Sequence, residues 1–479
     1  MLRNLTENQK WIVASVYVSA MILNALDSTI VNVTLATLGR EFGVEASEVE
    51  AVSVAYLVAL AVIMPASGWL TDKFGPKKVF LVALGIYGVT NLLAGFSQTL
   101  DQLILARILQ GLGGGLLVPV GMALLFRTFP PAERVAVSRI LMFAIILGPA
   151  LGPVVGGLIL QFAEWPWTFF VKVPIALGAL LYGWRYLIDE ERDTEAGKLD
   201  WIGFLLAGAG LGGTMYAVLE GPDNGWTSPI IMGTGLIGLA SLVALVWHEL
   251  RIREPLLDLR LLSNRLFKGI MQTSIFATAG FMGTLFIVPL FLQDVRETTP
   301  LEAGLTTMPE AVGVVVATQI AARIYPRLGP AKLMSGALVM VTIAILGLSR
   351  INMETPLWLV GTWMFLIGAG MAGVFLPNQA ASMATIPREK LSGASTFYSV
   401  QRQVAGAVGV ALLSVVLSII GIYTTTAGAD GTSIREVNLF AWQASLVVAA
   451  VLTAIGSLMA TRVPTEDARE TMQQNTRGA

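Results

Sequence analysis

Residues 68–78 read GWLTDKFGPKK, and residues 327–332 read RLGPAK. Aligned on their Gly-Pro pairs, the two strings stand 254 residues apart, each flanked by basic residues and set between long apolar stretches. Two further echoes keep nearly that spacing. GLLVP at 115–119 returns as GVFLP at 373–377, 258 residues on, and PAER at 131–134 returns as PREK at 387–390, 256 residues on. Three echoes in the same order predict two parallel halves with the same succession of elements. The halves are residues 1–190 and 265–465, and residues 200–250 form an inserted helix pair. The polar connectors DEERDTEAGK (189–198) and HELRIREPLLDLRLLSNR (248–265) flank that insertion.

What lies between the echoes is apolar. Hydrophobic residues make up 55% of the 479-residue chain and charged residues only 13%, a ratio far from that of a soluble domain. A membrane-crossing helix needs about 20 apolar residues. Fourteen such segments are predicted, near 11–33, 48–71, 79–97, 101–126, 135–161, 166–188, 201–219, 229–249, 269–292, 301–322, 333–349, 355–385, 392–421 and 437–461. The first carries Asn24 and Asp27 and no small-residue cleavage site, so it reads as an anchor that is retained. With both termini cytoplasmic, 24 of the 31 Lys and Arg fall on the cytoplasmic side and four (Arg40, Arg296, Arg350 and Arg435) fall outside, as the positive-inside rule requires of an even count. The expected class is an all-α polytopic membrane protein of two six-helix halves plus two inserted helices.

Several chemistries are excluded. The chain has no Cys and a single His, His248, which leaves no thiolate or polyhistidine metal site. It has no GxxxxGK[ST] string for an ATP-binding loop. The 31 basic and 32 acidic residues nearly cancel, so there is no basic surplus for nucleic acid. No cofactor is expected, and work done by such a chain draws on a gradient.

The loop string singles out Gly68, Asp72, Lys73 and Gly75: a glycine for close helix approach, an acid placed for a helix N-terminus and a Gly-Pro turn. It resembles the loop signature G-x-x-x-D-[RK]-x-G-R-[RK] of the major facilitator superfamily, with Pro76 in place of Arg. LILARILQGLGGG at 103–115 places Arg107, Gln110 and Gly111 in that family's L-x-x-x-R-x-x-Q-G pattern. LGPALGPVVGG at 147–157 puts Gly148, Pro149, Gly152, Pro153, Gly156 and Gly157 in a form similar to the antiporter signature G-P-x-x-G. Prolines there remove amide donors and bend a helix, while glycines four apart make a smooth packing face. LDSTIVNVTL at 26–35, WPWTFFVKVPI at 165–175, PLLDLRLL at 255–262 and LFLQDVRETTPLEAGLTTMP at 290–309 resemble the fourteen-helix drug/proton antiporter branch. Ala36 stands for the usual Pro, Pro166 for Arg and Lys172 for Asn.

Ionisable residues deep in apolar helices are functional candidates unless they pair or snorkel. Asp27 lies roughly 24 Å along the first helix from inside, and Arg107 roughly 9 Å into the fourth from outside, so the two can face each other at one level. They form the expected proton-coupling pair: protonation of Asp27 would free Arg107. Glu310, near the midplane of the second half, is a second proton or cation site, or the partner of Arg402. Lys172 is expected to snorkel outward or to meet Glu164 across the short outer turn. Met21, Phe143, Met282, Phe286, Glu310, Phe397, Tyr398 and Arg402, with Met364, are the candidate cavity residues, since Met and aromatic side chains suit broad apolar pockets.

The resemblance implies a monomeric proton-coupled antiporter in a prokaryotic plasma membrane. Its partners would be protons, a lipophilic and possibly cationic small molecule, and the lipid bilayer. Export of one physiological amphiphile, a lipid or siderophore-like compound, is the alternative implied by the same motifs, and proton symport a further one.

Overall fold

In a computed structural model, the two glycines of the repeated Gly-Pro turn take the same backbone conformation. Gly75 has φ 86° and Gly329 φ 71°, a region that glycine enters without the steric penalty of a Cβ. Pro76 and Pro330 follow, each with φ preset for the first turn of a helix. The structure describes residues 7–188, 197–252, 254–421, 423–427 and 433–473. At 7–8, 28, 46–47, 142–151, 153, 222–223, 294 and 300 and in the two strands, the backbone alone is described.

Among the described residues, ten helices precede Arg265: α1 (Glu7–Phe42), α2 (Ala46–Ile63), α3 (Ser67–Phe74), α4 (Pro76–Gly95), α5 (Leu100–Thr128), α6 (Arg134–Phe162), α7 (Trp167–Phe170), α8 (Lys172–Tyr186), α9 (Trp201–Asn224) and α10 (Pro229–Glu249). Seven follow: α11 (Arg265–Leu290), α12 (Pro300–Thr307), α13 (Pro309–Leu348), α14 (Leu357–Ala381), α15 (Leu391–Ile420), α16 (Leu439–Ala460) and α17 (Arg469–Met472). Their ends are set by local chemistry. Thr99 caps α5 by accepting from the amide of Gln102, Asp200 caps α9 by accepting from that of Gly203 at 2.9 Å, and Thr299 with Glu302 forms a reciprocal capping box on α12.

One feature departs from the all-α expectation. Between α15 and α16 the chain pairs β1 (Tyr423–Ala427) with β2 (Ser433–Val437) in an antiparallel hairpin, with Tyr423 opposite Val437 and Ala427 opposite Ser433. YTTTA and SIREV are rich in β-branched residues, which favour a pleated strand. Their shortness hid them beside two long apolar helices.

Twelve segments of the described residues are long and apolar enough to cross a membrane. One of them, Leu301–Leu348, has 48 residues, about 70 Å of helix against a hydrocarbon layer of about 30 Å. It is two helices in sequence, because Gly329 leaves helical geometry between Pro326 and Pro330.

The contacts divide the chain into two units. The first gathers chiefly Met1–Asn264 and Met383–Gln401, and the second Arg265–Ser382 and Arg402–Thr476. Within the first, α9 and α10 pack on each other through small residues. A Cβ on Gly213 would lie 2.9 Å from the carbonyl of Thr234, and one on Gly238 2.6 Å from the amide of Thr214. The core of the second is a continuous apolar cluster that includes Met334, Met364, Met371, Phe291 and Trp442.

Candidate functional site

Asp27 lies in the middle of α1, with no exposure to solvent. The glycines of α5 decide what can reach it. A Cβ on Gly111 would lie 2.5 Å from the Tyr56 carbonyl and 2.8 Å from Ala59 Cβ, and one on Gly113 3.0 Å from the Ala83 carbonyl. These bare positions let α2 and α4 press against α5 from two sides, and carry Arg107 and Gln110 to the level of Asp27.

The guanidinium of Arg107 donates through one nitrogen to Asp27 Oδ2 at 2.5 Å and to Gln110 Oε1 at 2.7 Å, and through Nε to the Val52 carbonyl at 3.2 Å. Gln110 Nε2 closes the ring by donating to Asp27 Oδ1 at 3.0 Å. The Tyr56 ring stacks on the guanidinium at 4.2 Å. Such a charge is tolerated in a dry interior because an opposite charge and further hydrogen bonds meet it there. The expected facing of Asp27 and Arg107 is therefore present as a direct ion pair.

A third charge joins them, contrary to expectation. Lys172 Nζ donates to Asp27 Oδ1, and the side chain is wholly buried. It neither snorkels nor pairs with Glu164. Depth along the helix from 166 alone places Lys172 near the outer end. The backbone stays helical through Val171 between α7 and α8, and the ammonium lies by the Phe169 ring, 4.6 Å from its centroid. Trp165 and Phe169 join Val31, Leu38, Val52, Leu103 and Ala106 in an apolar layer that covers the cluster at the C-terminal end of α1.

The glycines of the antiporter string pack on the turn of α1 that follows Asp27. A Cβ on Gly152 would collide with the Thr29 side chain, and one on Gly156 would lie 3.5 Å from Ile30 Cα. Gly157 faces open space. Gly148, Pro149 and Pro153 fall in the helix described by backbone alone, as does Phe143.

The loop residues form a second constellation. Gly75 makes the turn, and Lys73 lies in the last turn of α3. Asp72 sits in that same turn, not at a helix N-terminus, and pairs with Arg127 of α5 at 3.1 Å. Arg127 also donates to Ser392 Oγ at 2.6 Å, and its carbonyl accepts from Arg388 at 3.0 Å. Ser67 and Thr396 share a hydrogen bond of 2.7 Å, and a Cβ on Gly68 would lie 3.0 Å from Thr396 Oγ1 and 3.4 Å from Gly393 Cα. Gly68 is thus the point at which α3 meets the first turns of α15.

The other candidates are dispersed. Glu310, half-buried, starts α13, and among the described residues it makes no ion pair with Arg402 of α15. Met282 and Phe286 pack against the second unit's core, and Met364 is fully enclosed in it. Met21 and Tyr398 are buried, and Phe397 is partly so.

Comparison with known proteins places this geometry. The "Multidrug resistance protein B homolog" of Mycobacterium tuberculosis is 30% identical over 415 residues, covering 85% of this chain and 76% of that protein. In fold, the chain is similar to the human organic anion transporter MFSD10, with a TM-score of 0.67 over 94% of this chain and 99% of that one at 14% identity. It is also similar to the proton:xylose symporter XylE, with a TM-score of 0.66 over 98% and 99% at 14% identity. The sequence profile of the Major Facilitator Superfamily matches residues 17–410, and the chain belongs to that family of multi-pass membrane transporters.

Proposed function

We infer that this transporter is a proton-coupled antiporter that exports lipophilic small molecules, cations among them, by alternating access. The observation that carries the reading is the buried carboxylate of Asp27, held by the equally buried Arg107 and Lys172. Ionisable groups at such depth are costly to keep, and a static apolar contact would hold these helices together without them. Their use is to exchange a proton. The relative named for multidrug resistance supports a broad choice of cargo. The antiporter glycines that seat α6 on α1 beside Asp27 support exchange in preference to symport.

The same reading assigns fourteen membrane helices. The twelve candidate segments rise to fourteen when Leu301–Leu348 is divided at Gly329 and the 29-residue α6 is added. Residues 1–190 and 265–465 are the two six-helix repeats, residues 200–250 the inserted pair, and both termini face the cytoplasm of a prokaryotic plasma membrane.

The test is proton release on addition of a lipophilic cation to inside-out vesicles. Wild-type protein is expected to release protons and to accumulate the cation against its gradient. Asp27→Asn should do neither, although it still reaches the membrane. Full gradient-driven transport by that variant would remove the coupling role of Asp27.

A further inference from the structure

Asp27 is one carboxylate shared between two cations. With all three groups ionised, the buried cluster carries a net single positive charge. The charged groups that bear on Lys172 are Asp27 of α1 and Arg107 of α5. The other titratable groups at the site are Tyr56 of α2, stacked on the guanidinium, and Tyr87 of α4, which donates to the Leu23 carbonyl at 3.1 Å. Phenols are uncharged at neutral pH, and Gln110 is neutral, so these residues do not alter the charge balance.

Two proton exchanges are open to such a cluster. Protonating Asp27 would leave a neutral acid between two cations and raise the buried charge to two. Releasing a proton from Lys172 would leave a neutral amine beside an intact Arg107–Asp27 pair and lower the buried charge to zero. A dry interior penalises net charge, arginine does not give up its proton in proteins, and buried lysine does so readily. Building on the antiport reading, we propose that Lys172, and not Asp27, carries the exchanged proton. When the site opens to the cytoplasm, an N–H bond of the ammonium breaks, its electron pair stays on Nζ, and the proton passes to water. When the site opens outward, the amine takes a proton from the outer solution. Asp27 stays anionic throughout and positions the amine. A cationic cargo and the proton then exclude one another by charge, which is what obligatory exchange needs.

The test uses purified full-length protein in weakly buffered detergent solution, with tetraphenylphosphonium and ethidium as probes. Wild type should release protons when a probe binds. Lys172→Arg keeps the positive charge and the carboxylate partner but holds its proton, so it should bind the probe, release no protons and show no pH dependence of binding. Proton release by Lys172→Arg equal to that of wild type overturns the proposal and leaves the antiport reading standing. If neither probe draws protons from wild type, both fall together. A second measurement does not depend on the variant folding. The infrared difference spectrum of wild type on probe addition should contain no carboxylic acid C=O band that moves with ¹³C-aspartate labelling, and such a band would make Asp27 the carrier.

Discussion

The two units bury different things. In the first, Arg107 and Gln110 of α5 hold Asp27 and leave room for Lys172. In the second, the repeat offset of 258 residues sets Phe365 and Gly368 of α14 at those positions, and there the helices touch by backbone. A Cβ on Gly313 would collide with the Phe365 carbonyl, and one on Gly368 with that of Glu310. Every described ion pair lies in the first unit, while the second is cored by aliphatic side chains with a few Met, Phe and Trp among them. Close backbone approach at glycine is therefore common to both units, as at Gly111 on α5 and Gly313 on α13, while the buried charge cluster belongs to the first unit among the described residues.

The sharpest way to break this contrast is Asp27→Asn. It strands two buried cations, which costs about 3–5 kcal/mol when a buried pair loses one member. Its thermal unfolding midpoint in detergent should fall well below wild type, along with the loss of proton-driven export. A smaller effect compares the two copies of one glycine. A methyl group on Gly115 would collide with the Leu60 carbonyl, while on its counterpart Gly373 it would meet Ala337 Cβ at 2.7 Å. Backbone yields less than a side chain, so Gly115→Ala should cost about 1–3 kcal/mol and Gly373→Ala less, both read from thermal unfolding. The reverse order would mean that the first unit is the more plastic. Asp72→Asn should shift stability by no more than about 1 kcal/mol, because the pair with Arg127 is partly exposed; its effect belongs in transport rate. Least of all, Glu310→Gln should leave stability unchanged or slightly raised, since no paired charge is lost. A large destabilisation there would reveal a hidden partner in the second unit.

Much of the site was legible before the structure. Asp27 and Arg107 each stand alone as charges in an apolar helix, and rise per residue places them at one level. The Gly-Pro turns were legible because a positive φ followed by proline is a local demand on the backbone. Lys172 was not. Its partner, Asp27, lies on another helix, and depth along one helix does not say which way the ammonium turns. The departure of Lys172 from the family pattern was the available signal, since a cation where an amide is usual needs an anion. The partner of Asp72 was missed for a similar reason, as Arg127 lies on a different helix 55 residues away.

The sequence by itself determined the existence and order of the apolar helices, the repeated turn and the scarcity of buried charge. Those follow from transfer of side chains out of water and from steric limits on single residues, which are properties of short stretches. Only the tertiary structure decided that one carboxylate serves two cations. The contact between Asp27 and Lys172 spans 145 residues, and each further residue turns a helix by about 100°. Pairing at that range is set by how glycines and aromatic rings let helices rotate and approach, and no local pattern contains that information.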